Sequence, residues 1–170
     1  DCADAFAGGA TVERRLEILK DSTLGTYGTS ALALVLLVEI AALAALDPTT
    51  GLKSLVSAYA IGRGASVCVM VFSRKAVREG LGADYITELS VLRCAVGVFA
   101  AIFLVIALNG TQAAVLLVFA LPPAVLMWAW SHRSIGGVVG DSLGAITQLS
   151  QTSVLLGAVT LNSGVCACSW

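Results

Sequence analysis

Charge is scarce in this sequence: Asp, Glu, Lys and Arg make up only 12% of its 170 residues, and there is a single histidine. The scarcity excludes several classes. Ten Lys and Arg are matched by eleven Asp and Glu and form no patch, so the chain offers no basic surface for nucleic acid. The five cysteines, Cys2, Cys68, Cys94, Cys166 and Cys168, show no CxxC spacing and read as small buried apolar residues. The CxC of Cys166 and Cys168 has no histidine or second cysteine pair beside it to build a soft-metal site. His132, at a span edge beside Arg133, takes no role. No signal-peptide pattern opens the chain, which starts at Asp1 inside a polar motif, and a longer parent sequence is the expectation. No internal repeat or low-complexity linker is visible, and no polar loop is long enough for a soluble domain, so residues 1–170 are expected to form one membrane domain.

Apolar residues are what is abundant. They make up 58% of the chain, the mean hydropathy is +0.91, and several windows approach the roughly 20 residues that a helix needs to cross a bilayer. The expected fold is an all-α, multi-pass transmembrane bundle with five spans, at about 25–46, 54–73, 91–108, 113–130 and 143–165. Asp47-Pro48 is expected to end the first span, because proline cannot continue a helix, and Asn109-Gly110 to make a tight turn. Arg14, Arg15 and Lys20 precede the first span, Arg74, Lys75 and Arg78 fall between the second and third, and Arg133 follows the fourth. The alternate loops hold only Lys53, so the three basic segments are expected on the cytoplasmic side.

That topology gathers the polar segments 1–28, 78–82 and 136–144 on one face. Asp1 and Asp4 lie three residues apart, so on a helix their carboxylates share a face and can share a divalent cation, with Asp21 as a third oxygen donor. Hard oxygen donors suit Mg²⁺ or Mn²⁺; the alternative is that Asp1 frays and Asp4 caps a helix or faces solvent. Residues 13–20 read as an amphipathic helix with Leu16 and Leu19 on its apolar face. Arg14 and Arg15 either clamp phosphate or touch lipid headgroups. The glycine-rich loop 136–144 leads into the last span, where backbone amides can hold an anion and Asp141 either ligates a metal or caps the helix. Arg63 and Glu39 lie inside apolar spans, where a charge implies a function or a mutual ion pair.

In this order the motifs DCAD (1–4), ERRLEILKDSTLGTYG (13–28), GRG (62–64), EGLG (79–82) and GDSLGA (140–145) resemble the cobalamin synthase family over nearly the whole chain. The resemblance implies a multi-pass inner-membrane enzyme with its active site facing the cytoplasm. It implies that adenosylcobinamide-GDP is joined to α-ribazole or its 5′-phosphate, that GMP is released with the help of Mg²⁺, and that other enzymes of cobalamin synthesis are possible partners. Asp1 and Asp4 look like the second and third acids of the family's acidic motif, whose first acid and preceding His would lie upstream. Asp21 and Ser22 match its KDS motif, Arg63 an intramembrane SRG arginine, and Asp141 the acid of a glycine-rich GDxLGA motif. The resemblance thus implies metal ligation by Asp1, Asp4 and Asp21 and catalytic roles for Asp4, Asp21, Arg63 and Asp141. Substrate contacts are implied for Arg14, Arg15, Lys20, Ser22, Arg78 and Gly140. The chain departs from the family pattern at Gly62, where Ser is usual, at Val77-Arg78, where the arginine comes one place late, at Val138-Val139 in place of Gln-Thr, and at Gln148 in place of Glu. The rival readings are a CDP-alcohol phosphotransferase, whose aspartate spacing is not found here, and a transporter or a non-catalytic corrinoid scaffold.

Overall fold

The structure, a computed structural model, describes residues 1–21, 23–73 and 90–164. Two short helices, α1 (Cys2–Gly8) and α2 (Val12–Ile18), precede five long ones: α3 (Thr26–Ala44), α4 (Pro48–Phe72), α5 (Val91–Asn109), α6 (Ala113–Ile135) and α7 (Gly140–Asn162). At about 1.5 Å per residue the long helices run roughly 28–38 Å, enough to cross a hydrocarbon core. Among the described residues, three stretches are both long and apolar enough to do so: Thr26–Ala44, Pro48–Phe72 and Val91–Ile135, the last holding α5, α6 and the 3₁₀ turn Gly110–Gln112 between them. This is a helical membrane-protein fold.

The expected span at 143–165 is a helix but is not one of those three stretches. Its polar residues explain why, because α7 is the hub of the bundle and not a lipid-facing wall. Packed against α4, α6 and α3, it buries Ser142, Ser150, Gln151 and Thr152 along with Ile146, Val154 and Leu155. The expected start of the second span at 54 is also corrected. Helix α4 begins at Pro48 because Asp47 accepts the N–H groups of Thr49 and Thr50 at 3.0 and 3.1 Å, so Asp-Pro is a start signal here. The Asn109-Gly110 turn forms as expected, with Gly110 at φ 57°, and Gly136 at φ 76° ends α6 in the left-handed conformation.

Packing against α7 depends on small residues. A Cβ on Gly62 would come within 2.7 Å of both the Gln151 side chain and the Thr147 carbonyl oxygen, so glycine is what lets α4 approach α7 this closely. A Cβ on Gly157 would meet the Phe119 ring at 2.7 Å. Pro122 and Pro123 sit inside α6, and Pro123 cannot bond the Phe119 carbonyl four residues back. Ser153 Oγ on α7 donates to that carbonyl at 2.7 Å, so the partner helix satisfies what the proline leaves open. Helix α5 lies on α4, where Asn109 Nδ2 donates to Ser57 Oγ at 2.7 Å. The outward faces of α3 and α5 are apolar and exposed, with Leu34, Leu37, Ile40, Phe99 and Phe103 each more than 60% accessible, as lipid-facing positions are. Of the cysteines, Cys2 and Cys94 are buried and Cys68 half-buried, all three as free thiols; Cys166 and Cys168 lie outside the described residues.

Candidate functional site

Helices α1 and α2 lie across one end of the bundle, where α3 and α7 begin and α6 ends. Thr11 starts α2 by accepting the Arg14 N–H at 3.2 Å. As the amphipathic pattern requires, Leu16 and Leu19 are partly buried, and Leu19 packs on a cluster of Cys2, Ala124, Met127 and Ile146. Between α1, α3, α6 and α7 this end contains a cavity of about 680 Å³. Asp1 and Asp141 stand in its lining with Tyr27, Ser30 and Gln148, while Val35, Met127 and Trp130 give it apolar walls. A neighbouring groove of about 480 Å³, lined by Pro123, Leu126 and Arg133, shares Met127, Trp130 and Leu149 with it.

Asp141 reaches the cavity because another residue does the capping. Ser142 Oγ accepts the Val139 N–H at 2.8 Å and lies 2.8 Å from the Val139 carbonyl oxygen, leaving Asp141 exposed on the first turn of α7. A carboxylate there is favoured by the helix dipole. A Cβ on Gly140 or Gly144 would meet nothing within 4 Å, so these cavity-lining glycines keep space open and do not serve protein packing. The Cys2 thiol is pushed up to about 12, first by burial and then by the charge of Asp141, which places that carboxylate beside α1.

Asp4 takes the capping alternative. Its Oδ2 accepts the Gly25 N–H at 2.9 Å, and the N–H groups of Gly28, Gly25 and Tyr27, with Gly28 contributing most, hold its carboxyl below the ordinary 3.8. A Cβ on either Gly25 or Gly28 would overlap this carboxylate, so the two glycines admit it to the start of α3. Asp21 is exposed after α2, and its Oδ1 accepts the Thr23 N–H at 3.1 Å. The expected trio of Asp1, Asp4 and Asp21 is therefore not assembled: among the described residues no three of His, Cys, Asp or Glu are grouped to hold a metal. The two acids that do share the cavity are Asp1 and Asp141. Two hard carboxylates beside an open space suit Mg²⁺, which usually takes one or two protein carboxylates and completes its shell with water and phosphate.

The expected phosphate clamps separate. Arg15 donates from Nε to the Gly9 carbonyl at 2.9 Å and from Nη1 to the Ser134 carbonyl at 3.0 Å, tying α1 and α2 to the C-terminal end of α6. Arg14 pairs with Glu17 at 2.9 Å on the exposed side of α2, and Lys20 is exposed beyond it. Arg63 is exposed on α4 and makes no ion pair with Glu39 among the described residues. Glu39 instead faces α7, where Gln148 Nε2 and Thr152 Oγ1 each lie 2.8 Å from its Oε1. Gly140 lines the cavity, whereas Ser22 and Arg78 lie outside the described residues. Sequence reasoning did not single out Tyr27, Trp130 or a site role for Arg133; the only signal available was the aromatic and basic pair at one end of α6.

Fold and site together define a class: an α-helical membrane protein with a cavity at one bundle end, acid-lined and apolar-walled. Residues 1–159 match the model of the CobS family, described as cobalamin-5-phosphate synthase, and the chain belongs to that family. A relative in Mesorhizobium japonicum named adenosylcobinamide-GDP ribazoletransferase is 39% identical over 166 residues, covering 96% of this chain and 63% of the relative. Relatives of the same name in Azorhizobium caulinodans and Shewanella frigidimarina are each 34% identical, covering 94% and 92% of this chain. The chain spans 62–63% of the length of these three relatives. No solved structure matches it.

Proposed function

We propose that the chain carries the reaction site of a membrane transferase that joins adenosylcobinamide-GDP to α-ribazole or α-ribazole 5′-phosphate and releases GMP, late in cobalamin synthesis. The observation that carries this reading is that Asp1 and Asp141, far apart in the sequence, line one cavity with apolar walls. The names of the relatives supply the donor and acceptor. A substrate with a large organic part and a diphosphate needs such a division between walls and charged lining.

In this reading the ribose hydroxyl forms a new P–O bond while the P–O bond to GMP breaks, and its proton leaves to solvent water. Mg²⁺, held by Asp1 and Asp141, would supply charge stabilisation on the phosphates. The first-turn amides of α7, from Gly140 onward, and its dipole hold a phosphate. Gly140 and Gly144 leave room for the substrate, Arg133 in the adjoining groove adds positive charge, and Asp4 fixes the start of α3. Arg14 and Lys20 attract the anionic substrates from the exposed side of α2, and Asp21, accepting the Thr23 N–H, orders the chain after α2. The acidic end faces the cytoplasm, following the Lys and Arg distribution, in a bacterial or archaeal inner membrane. The surrounding bilayer and other enzymes of the same synthesis are the expected partners.

The test is Mg²⁺-dependent GMP release from adenosylcobinamide-GDP and α-ribazole 5′-phosphate by the protein in proteoliposomes. Release that disappears with EDTA and with Asp141→Asn supports the reading. Release insensitive to both contradicts it.

A further inference from the structure

Helix α3 has little holding it in place: most of its surface is exposed, and only Gly28 and Ala42 along it are buried. Two carboxylates fasten it. Asp4 holds its first turn, and Glu39, 13 residues after Thr26, reaches across to α7, with Gln148 Nε2 and Thr152 Oγ1 each 2.8 Å from Oε1. The stretch between the two fastenings, including Tyr27, Gly28, Ala31 and Val35, is one wall of the cavity, and Gln148 belongs to the same lining.

We propose that Glu39 is a positioning residue, fixing the separation of α3 and α7 at the inner end of the cavity and so setting the shape into which the substrate fits. This rests on the reading of that cavity as the substrate site. The chemistry requires one acid facing donors. Gln148 offers an N–H and stays neutral at every pH, and the Thr152 hydroxyl has one proton to give, for which the Glu39 carboxylate outcompetes the Gln148 backbone carbonyl 2.9 Å away. A carboxylate at this depth would be costly without such donors, and with them it is a directional tie between two helices. The other charged groups on the elements packed against α3 are Asp1 and Asp4 at α1, Asp141 at the start of α7, and Lys53 and Arg63 on α4; none forms an ion pair with Glu39 among the described residues.

The test uses Gln148→Glu, Glu39→Gln and the double exchange Glu39→Gln/Gln148→Glu, each in nanodiscs from pH 5.5 to 8.5. Two readouts are taken: GMP release, and the α3–α7 distance from spin labels placed at Leu36 and Leu156, both exposed. Gln148→Glu puts two carboxyls at hydrogen-bond distance. They share a proton at low pH and repel once it is lost. The single variant is expected to keep the native distance at pH 5.5 and to show a longer distance at pH 8.5, with a KM at least tenfold higher at pH 8.5 than at pH 5.5. The double exchange restores one acid facing one amide and is expected to bring both readouts back to within about threefold of the parent at every pH. A Gln148→Glu variant without pH dependence in the distance, or a double exchange that fails to restore it, overturns the proposal. The distance needs no substrate, so a protein that releases no GMP at all refutes the proposed activity while the fastening is still decided. A restored distance with an unrestored KM refutes the link between the fastening and the substrate site.

Discussion

Asp4 Oδ2 accepts the backbone N–H of Gly25 at 2.9 Å, a contact between residues 21 apart that ties α1 to the start of α3. It turns the DCAD and GTYG motifs, separate in the sequence, into one structural device. An acidic residue that spacing offers as a metal ligand is engaged by a helix terminus, and Gly25 and Gly28, at the start of the transmembrane helix, are the positions that let it approach.

Gly28→Ala is therefore expected to disturb α3 more than Asp4→Asn does. The added methyl overlaps the carboxylate, whereas an asparagine oxygen still accepts the amides. Hydrogen exchange at Thr26 to Gly28 should accelerate several-fold in Gly28→Ala and much less in Asp4→Asn. The sign of the pH effect follows from the lowered Asp4 carboxyl. Its stabilisation is complete above the ordinary value of 3.8 and is lost as pH falls through the lower folded value, so exchange in this turn should rise only in strong acid.

Arg14 and Arg15 are neighbours with opposite expected costs. Arg14→Ala removes an exposed i, i+3 pair with Glu17 and should change stability by less than about 0.5 kcal/mol. Arg15→Ala strips two charged hydrogen bonds from the Gly9 and Ser134 carbonyls and should cost about 2 kcal/mol. Thermal unfolding in one detergent measures both. Equal effects would contradict the assignment of Arg15 as the tie between α2 and α6.

Cys2, with its thiol pushed up to about 12, should resist maleimide at pH 8, because only about one molecule in ten thousand carries the thiolate. Asp141→Asn removes the second cause of the shift and should speed labelling modestly while leaving burial as the main protection. Mass spectrometry of the Cys2 peptide reads the rate.

Gly144→Val tests the cavity as a binding space. No protein atom lies within 4 Å of an added Cβ, so α7 has room at this position and membrane insertion is expected to be retained, which circular dichroism of the purified variant checks. KM should rise by about tenfold, equivalent to roughly 1.4 kcal/mol of binding. A variant with unchanged KM would mean that the substrate does not occupy this lining.

The long apolar runs were legible in the sequence because hydropathy is a local property, and so were the turn at Asn109-Gly110 and the amphipathic pattern of Leu16 and Leu19. The place of α7 was harder to read. Gln148, Gln151 and Thr152 lower its hydropathy, yet these are the residues that make it the hub, and only the packing of α3 and α4 against it explains them. The sequence also placed acids at the right end of the bundle without saying which carboxylate faces which partner. Spacing put Asp1 and Asp4 together, whereas α3 draws Asp4 away through backbone amides that no pattern of side chains displays. Spacing leaves a capping role open for Asp141, whereas in the structure Ser142 makes the contact with Val139. Glu39 and Arg63, two charges in apolar spans, suggested a mutual pair, but Glu39 is met by neutral donors on α7 instead.

If Asp1 and Asp141 together form the divalent-cation and phosphate end of the cavity, Mn²⁺ binding followed by electron paramagnetic resonance depends on both. Asp1→Asn and Asp141→Asn are each expected to weaken Mn²⁺ binding at least tenfold and to abolish Mg²⁺-dependent GMP release, while Asp4→Asn leaves Mn²⁺ affinity within about threefold of the parent. Loss of Mn²⁺ binding in Asp4→Asn with retention in Asp141→Asn would contradict this arrangement.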